Sequence, residues 1–124
     1  MSRARPRVLV ADDHPEVTKA VCRLLALDFE VVGTVADGSA LLEAVPRLEP
    51  DVIVLDVNLP KVHGLEACRQ LTQLNPALIV VVFSAMSESE LSDPLTAAGA
   101  SAFVSKLSSE DLPATIRRLC AGSS

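Results

Sequence analysis

Arg7-Val8-Leu9-Val10-Ala11-Asp12-Asp13-His14-Pro15 is an apolar run that ends in two acids and then a proline. Val8–Ala11 reads as a buried strand. Pro15 suits a first helical turn, where its missing N–H is not needed. Val17, Val21, Leu24 and Leu25 follow at helical spacing, which predicts a helix from Pro15 to Leu27. A second run of the same kind, Asp51-Val52-Ile53-Val54-Leu55, leads into Asp56. In an open parallel sheet, neighbouring strand tips face one crevice, where ligands bind. Three carboxylates there repel one another, at roughly 3 kcal/mol for a pair about 5 Å apart with an effective dielectric near 20. A divalent cation removes that cost, and Mg²⁺ favours one or two carboxylates with waters and phosphate oxygens. Asp12, Asp13 and Asp56 thus point to a metal-dependent phosphoryl site.

The alternation continues along the chain. Phe29–Val35 reads as a second strand, with Glu30 suggesting an edge. Ser39–Leu48 is a helix after Asp37-Gly38. Val52–Leu55 is apolar throughout, as expected for a strand covered on both faces. Leu65–Leu74 is a third helix, with Leu65, Cys68 and Leu71 on one side. Leu78–Phe83 is a fourth strand, and a helical stretch between Glu88 and Ala98 closes at Gly99. Ala102–Val104 is a short fifth strand and Leu112–Cys120 a last helix, capped by Ser108 or Ser109 with Pro113 in its first turn. Asp93-Pro94 is a second helix-start signal, so the segment 87–93 is expected to be loose or a separate turn.

Five βα units imply a doubly wound α/β fold, a parallel sheet with helices on both faces. The first, third, fourth and fifth strand tips carry Asp12/Asp13, Asp56, Ser84 and Lys106, and the second carries no such group. Strand order 2-1-3-4-5, the flavodoxin-like (βα)5 arrangement, places all four polar tips on one side of the switch point. The expected organisation is a flexible arm over 1–6, one domain over 7–121, and 122–124 as a tail or the start of a linker.

Bulk properties narrow the function. A chain of 124 residues with 49% hydrophobic residues makes one ordinary core. A net charge of −5 argues against direct nucleic-acid binding, which would show a basic face. Cys22, Cys68 and Cys120 lack metal-ligand spacing and read as small buried hydrophobes in a reducing compartment. With no signal peptide and no run approaching the ~20 apolar residues of a span, the cytoplasm is the expected location and no membrane partner is expected.

Asp56 is the candidate nucleophile, since a carboxylate can form an acyl phosphate. Lys106 can pair with phosphate oxygens as a point charge. Ser84 can donate to a phosphoryl oxygen or simply cap a helix. Asp13, taken alone, could equally be a helix N-cap. Phe103 is either plain core or a side chain whose rotamer follows Ser84. His14 and His63 have no partner at ligand spacing, so neither is expected to hold a metal, and His14 is assigned to the loop or cap before the first helix. Lys61-Val62-His63-Gly64 reads as a loop flanking Asp56.

These stretches resemble the receiver domains of two-component response regulators. Val8–His14, Val52–Pro60 with Gly64, Val82–Ala85 and Gly99–Lys106 carry the likeness over nearly the whole chain. Asp-Asp-His-Pro is most similar to the NarL/LuxR-type subgroup, whose members usually carry a C-terminal helix-turn-helix domain. The resemblance implies that Asp56 accepts a phosphoryl group from a sensor histidine kinase or phosphotransfer protein. It implies a Mg²⁺ site of Asp12, Asp13, Asp56 and the backbone carbonyl of Asn58. Ser84 and Phe103 take the switch positions, and Lys106 bonds the phosphoryl group. It further implies homodimerisation on phosphorylation, with DNA reached only through an output domain outside this chain. Leu107 stands where many receivers have proline, so a trans bond is expected after Lys106. Other readings are a stand-alone relay, a degenerate receiver, a haloacid-dehalogenase-like aspartyl phosphatase and a flavodoxin-like nucleotide binder. The phosphatase expects an Asp-x-Asp after the first strand, and the acids of the first tip would repel a nucleotide's phosphate.

Overall fold

The computed structural model describes residues 5–59, 61–85 and 97–122. Alternating strands and helices build a five-stranded, all-parallel sheet in the order β2-β1-β3-β4-β5. The strands are β1 (Arg7–Ala11), β2 (Glu30–Val35), β3 (Val52–Leu55), β4 (Ile79–Ser84) and β5 (Ala102–Ser105). Among the described residues, the helices with defined bounds are α1 (Pro15–Leu25), α2 (Gly38–Leu48), α3 (Gly64–Leu74) and a C-terminal helix (Leu112–Gly122). The order is the one expected from the polar strand tips. The expectations for 87–93 and Asp93-Pro94 fall outside the described residues.

Period-two alternation splits the core into two layers. Leu9, Ala11, Ile53, Leu55 and Val80 face α2 and α3, where Leu41, Ala44, Cys68 and Leu71 bury against them. Val8, Val10, Val52, Val54, Val81 and Phe83 face α1 and the C-terminal helix, meeting Val21, Leu25, Leu112 and Ile116. Leu25, Leu112 and Ile116 are fully buried, and each such side chain stabilises the fold by about 1.5–3 kcal/mol. β1 and β3 are covered on both faces, whereas β2 is an edge strand with no fully buried residue.

Helix ends follow local chemistry. Pro15 opens α1, as its position predicts, and α1 stops at Leu25 rather than Leu27; Leu27 projects into solvent. The Asp37 carboxylate accepts from the Ala40 N–H and caps α2, one residue earlier than the sequence suggests. The hydrogen-bonded N–H of Ala40 and the nearby Lys61 ammonium hold the Asp37 carboxyl below its ordinary pKa. The last connection differs from expectation. Neither Ser108 nor Ser109 caps the C-terminal helix; a 3₁₀ segment, Lys106–Asp111, runs into it, and Ser105 Oγ accepts from the Leu107 N–H at 3.1 Å. Peptide bonds among the described residues are all trans, including the one after Lys106.

Candidate phosphoryl and metal site

Backbone hydrogen bonds from neighbouring strands fix the two acidic tips. The Asp56 N–H donates to Ala11 O at 2.9 Å, and the Asp12 N–H donates to Val35 O at 3.0 Å. The main chain therefore seats Asp12 and Asp56 side by side at the C-terminal edge of the central strands. Asp56 is 2% exposed and Asp12 5%. The Asp13 side chain is 37% exposed at the rim.

Each buried carboxylate has one oxygen tied to the backbone. Asp56 Oδ1 accepts from the Asn58 N–H at 3.1 Å, and Asp12 Oδ1 accepts from the His14 N–H at 2.9 Å. The other oxygens face one cation. Lys106 Nζ lies 3.1 Å from Asp56 Oδ2 and 2.9 Å from Asp12 Oδ2. One ammonium thus bridges both buried carboxylates. Burial works against the Lys106 charge, but hydrogen bonding to Asp12 and Asp56 outweighs it and raises the ammonium's pKa above the ordinary lysine value. Phe83 lies beneath the ammonium, 5.9 Å from Nζ to the ring centre.

The remaining sequence candidates fall in different places. Ser84 is fully buried at the end of β4, opposite Ser105 in the β4–β5 register. Phe103, on β5, pairs with Val82 and packs on a small cluster of Val57 and Val82 with Leu65 and Ala100. The loop after Asp56 is closed by the Gly64 N–H donating to Val57 O at 2.9 Å. A Cβ on Gly64 would meet Asp56 O at 2.5 Å, so only glycine lets α3 begin this close to the acid. His63 stays out of the cluster, its Nδ1 accepting from the Leu65 N–H at 3.2 Å.

His14 lies nearer the acids than its sequence spacing suggests. It occupies the N-cap position of α1, as expected, but its ring turns into the acids instead of capping the helix. Nδ1 lies 2.7 Å from Asp12 Oδ1, 3.2 Å from Asp13 Oδ1 and 3.7 Å from Asp56 Oδ2. One ligand atom from each of Asp12, Asp13, His14 and Asp56 fits within 4.8 Å of all the others, a spacing on which a single metal ion could draw. Three acids crowded at one rim, with a single ammonium between two of them, fit a divalent cation.

The response regulator receiver domain family matches residues 8–117. The chain belongs to that family. This receiver domain is 38% identical over 120 residues to the response regulator GacA of Pseudomonas aeruginosa, covering 94% of the chain and 56% of GacA. It is 34% identical over 128 residues to the nitrate/nitrite response regulator NarL of Escherichia coli, covering 98% of the chain and 58% of NarL. Among solved structures, the signal receiver domain of the putative response regulator NarL from Mycobacterium tuberculosis superposes with a TM-score of 0.89 at 29% identity, covering 97% of this chain and 99% of that one. A LuxR-family two-component response regulator from Aurantimonas matches with a TM-score of 0.89 at 30% identity, over 95% of this chain and 86% of that one. The receiver domain spans little more than half the length of GacA and NarL. No helix among the described residues is long and apolar enough to cross a membrane.

Proposed function

We propose that this receiver domain is a phosphorylation-controlled switch in which Asp56 is the phosphoacceptor. The observation that carries the reading is the pairing of the Asp56 carboxylate, 2% exposed, with the Lys106 ammonium at 3.1 Å beside Asp12 and Asp13. In the proposed step an Asp56 oxygen attacks the phosphorus of a phosphohistidine on a sensor histidine kinase or phosphotransfer protein. The O–P bond forms, the P–N bond breaks, and the imidazole leaves.

Asp12, Asp13 and Asp56, with the backbone carbonyl of Asn58, are the residues proposed to hold Mg²⁺. When bound, that ion supplies positive charge against the anionic donor and the crowded acids. Lys106, already aimed at Asp56 Oδ2, supplies a fixed cation for the phosphoryl oxygens. The Asn58 N–H is a backbone donor at the same carboxylate.

The phosphoryl group carries about −1.5 to −2 charges in place of the single carboxylate charge of Asp56, and it brings three strong acceptors. Ser84 and Lys106 are the donors proposed to follow it, and Phe103 the side chain that reports the change to the outer surface of β5. The domain over 7–121 then passes the signal on, through a C-terminal helix-turn-helix output domain or as a stand-alone relay. Steady turnover of phosphate esters is not expected of it.

The test is direct. Incubation with Mg²⁺ and a small acyl phosphate should add one phosphoryl group by intact mass, and Asp56→Asn should abolish it. An adduct that survives this substitution removes Asp56 from the role.

A further inference from the structure

We propose that Gly38, the first residue of α2, is a positioning residue for the Mg²⁺ site: it lets the Val62 carbonyl rest against the helix and so holds the loop that carries Asn58. The inference rests on the proposed role of the Asn58 carbonyl at that ion. It goes further by placing a determinant of that role on another βα unit. The tip of β2 brings no polar group to the site; its unit contributes a gap instead.

The loop between β3 and α3 is pressed on at two places where a side chain is missing. Gly64 closes its base, against Asp56 O and Val57 Cα. Gly38, which is buried, ties its far side to α2. A Cβ on Gly38 would meet Val62 O at 2.0 Å, Val62 Cβ at 2.7 Å and Val62 C at 2.8 Å. Asn58 lies between these two contacts, with its N–H on Asp56 Oδ1 at 3.1 Å. Lys61, just before Val62, has a φ of 69°, the left-handed region that a lysine seldom adopts. Such a backbone persists only where its surroundings hold it.

Two forces could do the holding, and their sizes differ. Lys61 Nζ lies 3.5 Å from Asp37 Oδ2, at the N-cap of α2, but the Lys61 side chain is 69% exposed. An exposed pair of this kind contributes little. The packing of Gly38 on Val62 is backbone against backbone, and neither side can swing away. A carbonyl ligand has no rotamer of its own, so its position is the position of its loop. Mg²⁺ demands near-ideal octahedral geometry, and a displaced loop therefore weakens its hold.

The experiment is a calorimetric Mg²⁺ titration of the whole chain as wild type, Gly38→Ala, Asp37→Asn and Ile116→Val, each well below its melting temperature. Salt at about 0.15 M screens the charge change at Asp37, and asparagine keeps the cap of α2. Ile116→Val thins the layer opposite the one that takes Leu59 and Val62, so it reports lost stability alone. Gly38→Ala should bind Mg²⁺ about tenfold more weakly, as expected when support behind a ligand is lost. The other two variants should stay within about twofold of wild type. Wild-type affinity in Gly38→Ala, or an equal loss in Ile116→Val, overturns the proposal. An equal loss in Asp37→Asn makes the charge pair the tether and overturns it too. Should Gly38→Ala not fold, NMR of the wild type decides. The Gly38 and Val62 amide signals should shift with Mg²⁺ at the midpoint seen for Asn58, while Leu48, at the far end of α2, stays. A Gly38 signal that ignores the ion overturns the proposal. The expected affinity pattern in a chain that takes no phosphoryl group supports the role of Gly38 and removes the phosphoryl reading. A wild type that binds no Mg²⁺ removes both.

Discussion

Lys106 Nζ, at the end of β5, lies 3.1 Å from Asp56 Oδ2, at the end of β3 and 50 residues earlier in the chain. The same ammonium lies 2.9 Å from Asp12 Oδ2. One side chain therefore balances two buried carboxylates from two different strands, and it is 15% exposed.

Lys106→Met should destabilise the protein without metal. Removing one partner of a buried pair leaves uncompensated charge, and the partial exposure of Lys106 brings the cost down to roughly 1–3 kcal/mol. Saturating Mg²⁺ should shrink the difference, since a cation then serves the same carboxylates. Urea melts with and without Mg²⁺ measure both. Because the folded-state pKa of Lys106 is raised, its contribution is fully present below the ordinary lysine pKa. It is lost only as pH climbs through the raised value. A cost that is unchanged by Mg²⁺ would contradict a cation site at these acids.

Mg²⁺ should raise the melting temperature of the wild-type chain, and a chelator should reverse the gain. Ligand binding to the folded state stabilises by about 2.7 kcal/mol at a concentration of 100 times Kd. Asp13→Asn should flatten the response while raising the metal-free melting temperature slightly, because one repelling charge is gone. Differential scanning fluorimetry over a Mg²⁺ series separates the two effects. An equal Mg²⁺ response in wild type and variant would exclude Asp13 from the cation site.

Gly64→Ala should damage the site from behind. The added methyl would meet Asp56 O at 2.5 Å and Val57 Cα at 2.6 Å, which are backbone atoms that cannot swing away. The expected cost is about 1–3 kcal/mol from overpacking, with slower phosphoryl uptake as Asp56 is pushed off its position. Gly33→Ala is the control, because its Cβ would meet only side-chain ends, Leu48 Cδ1 at 3.0 Å and Leu9 Cδ1 at 3.6 Å. Denaturant melts and adduct-formation rates on both variants decide the matter; similar rates would disconnect the glycine from Asp56.

Cys68 predicts an alkaline weakness. Burial pushes its thiol from an ordinary value of 9.0 up to about 11. Between those values the unfolded chain releases the proton and the folded chain keeps it, so folded stability falls as pH rises through that window. The full loss is on the order of 2 kcal/mol. Cys68→Ala should flatten stability between pH 9 and 11 in urea melts, at the cost of a small cavity. A slope identical to that of wild type would show that another group titrates there.

The fold was legible because each βα unit declares itself locally. Val8–Ala11 and Val52–Leu55 are short apolar runs closed by acids, and Pro15 marks the start of α1. Phe103 and Ser84 could be placed on their strands, but not their neighbours, since packing is set by register between strands far apart in sequence. His14 escaped for a related reason. Ligand-spacing rules describe one segment, whereas its partners come from two strand tips and its own ring rotamer. The different burial of Asp12 and Asp13 follows from the alternation of adjacent residues, yet which acid faces inward depends on the sheet. The missing serine cap near residue 108 reflects a 3₁₀ turn that competes with helix start signals of the same residue type.

The small cluster of Val57, Val82 and Phe103 meets the α2–α3 layer through Leu65 and Ala100. It joins the residue that follows Asp56 to an aromatic ring on the outermost strand. A rearrangement there can proceed while the two large apolar layers stay shut, as a latch moves without opening the wall it is mounted on. In the proposed switch, the signal thus leaves Asp56 by a side pocket of a few residues, and both large layers keep their packing.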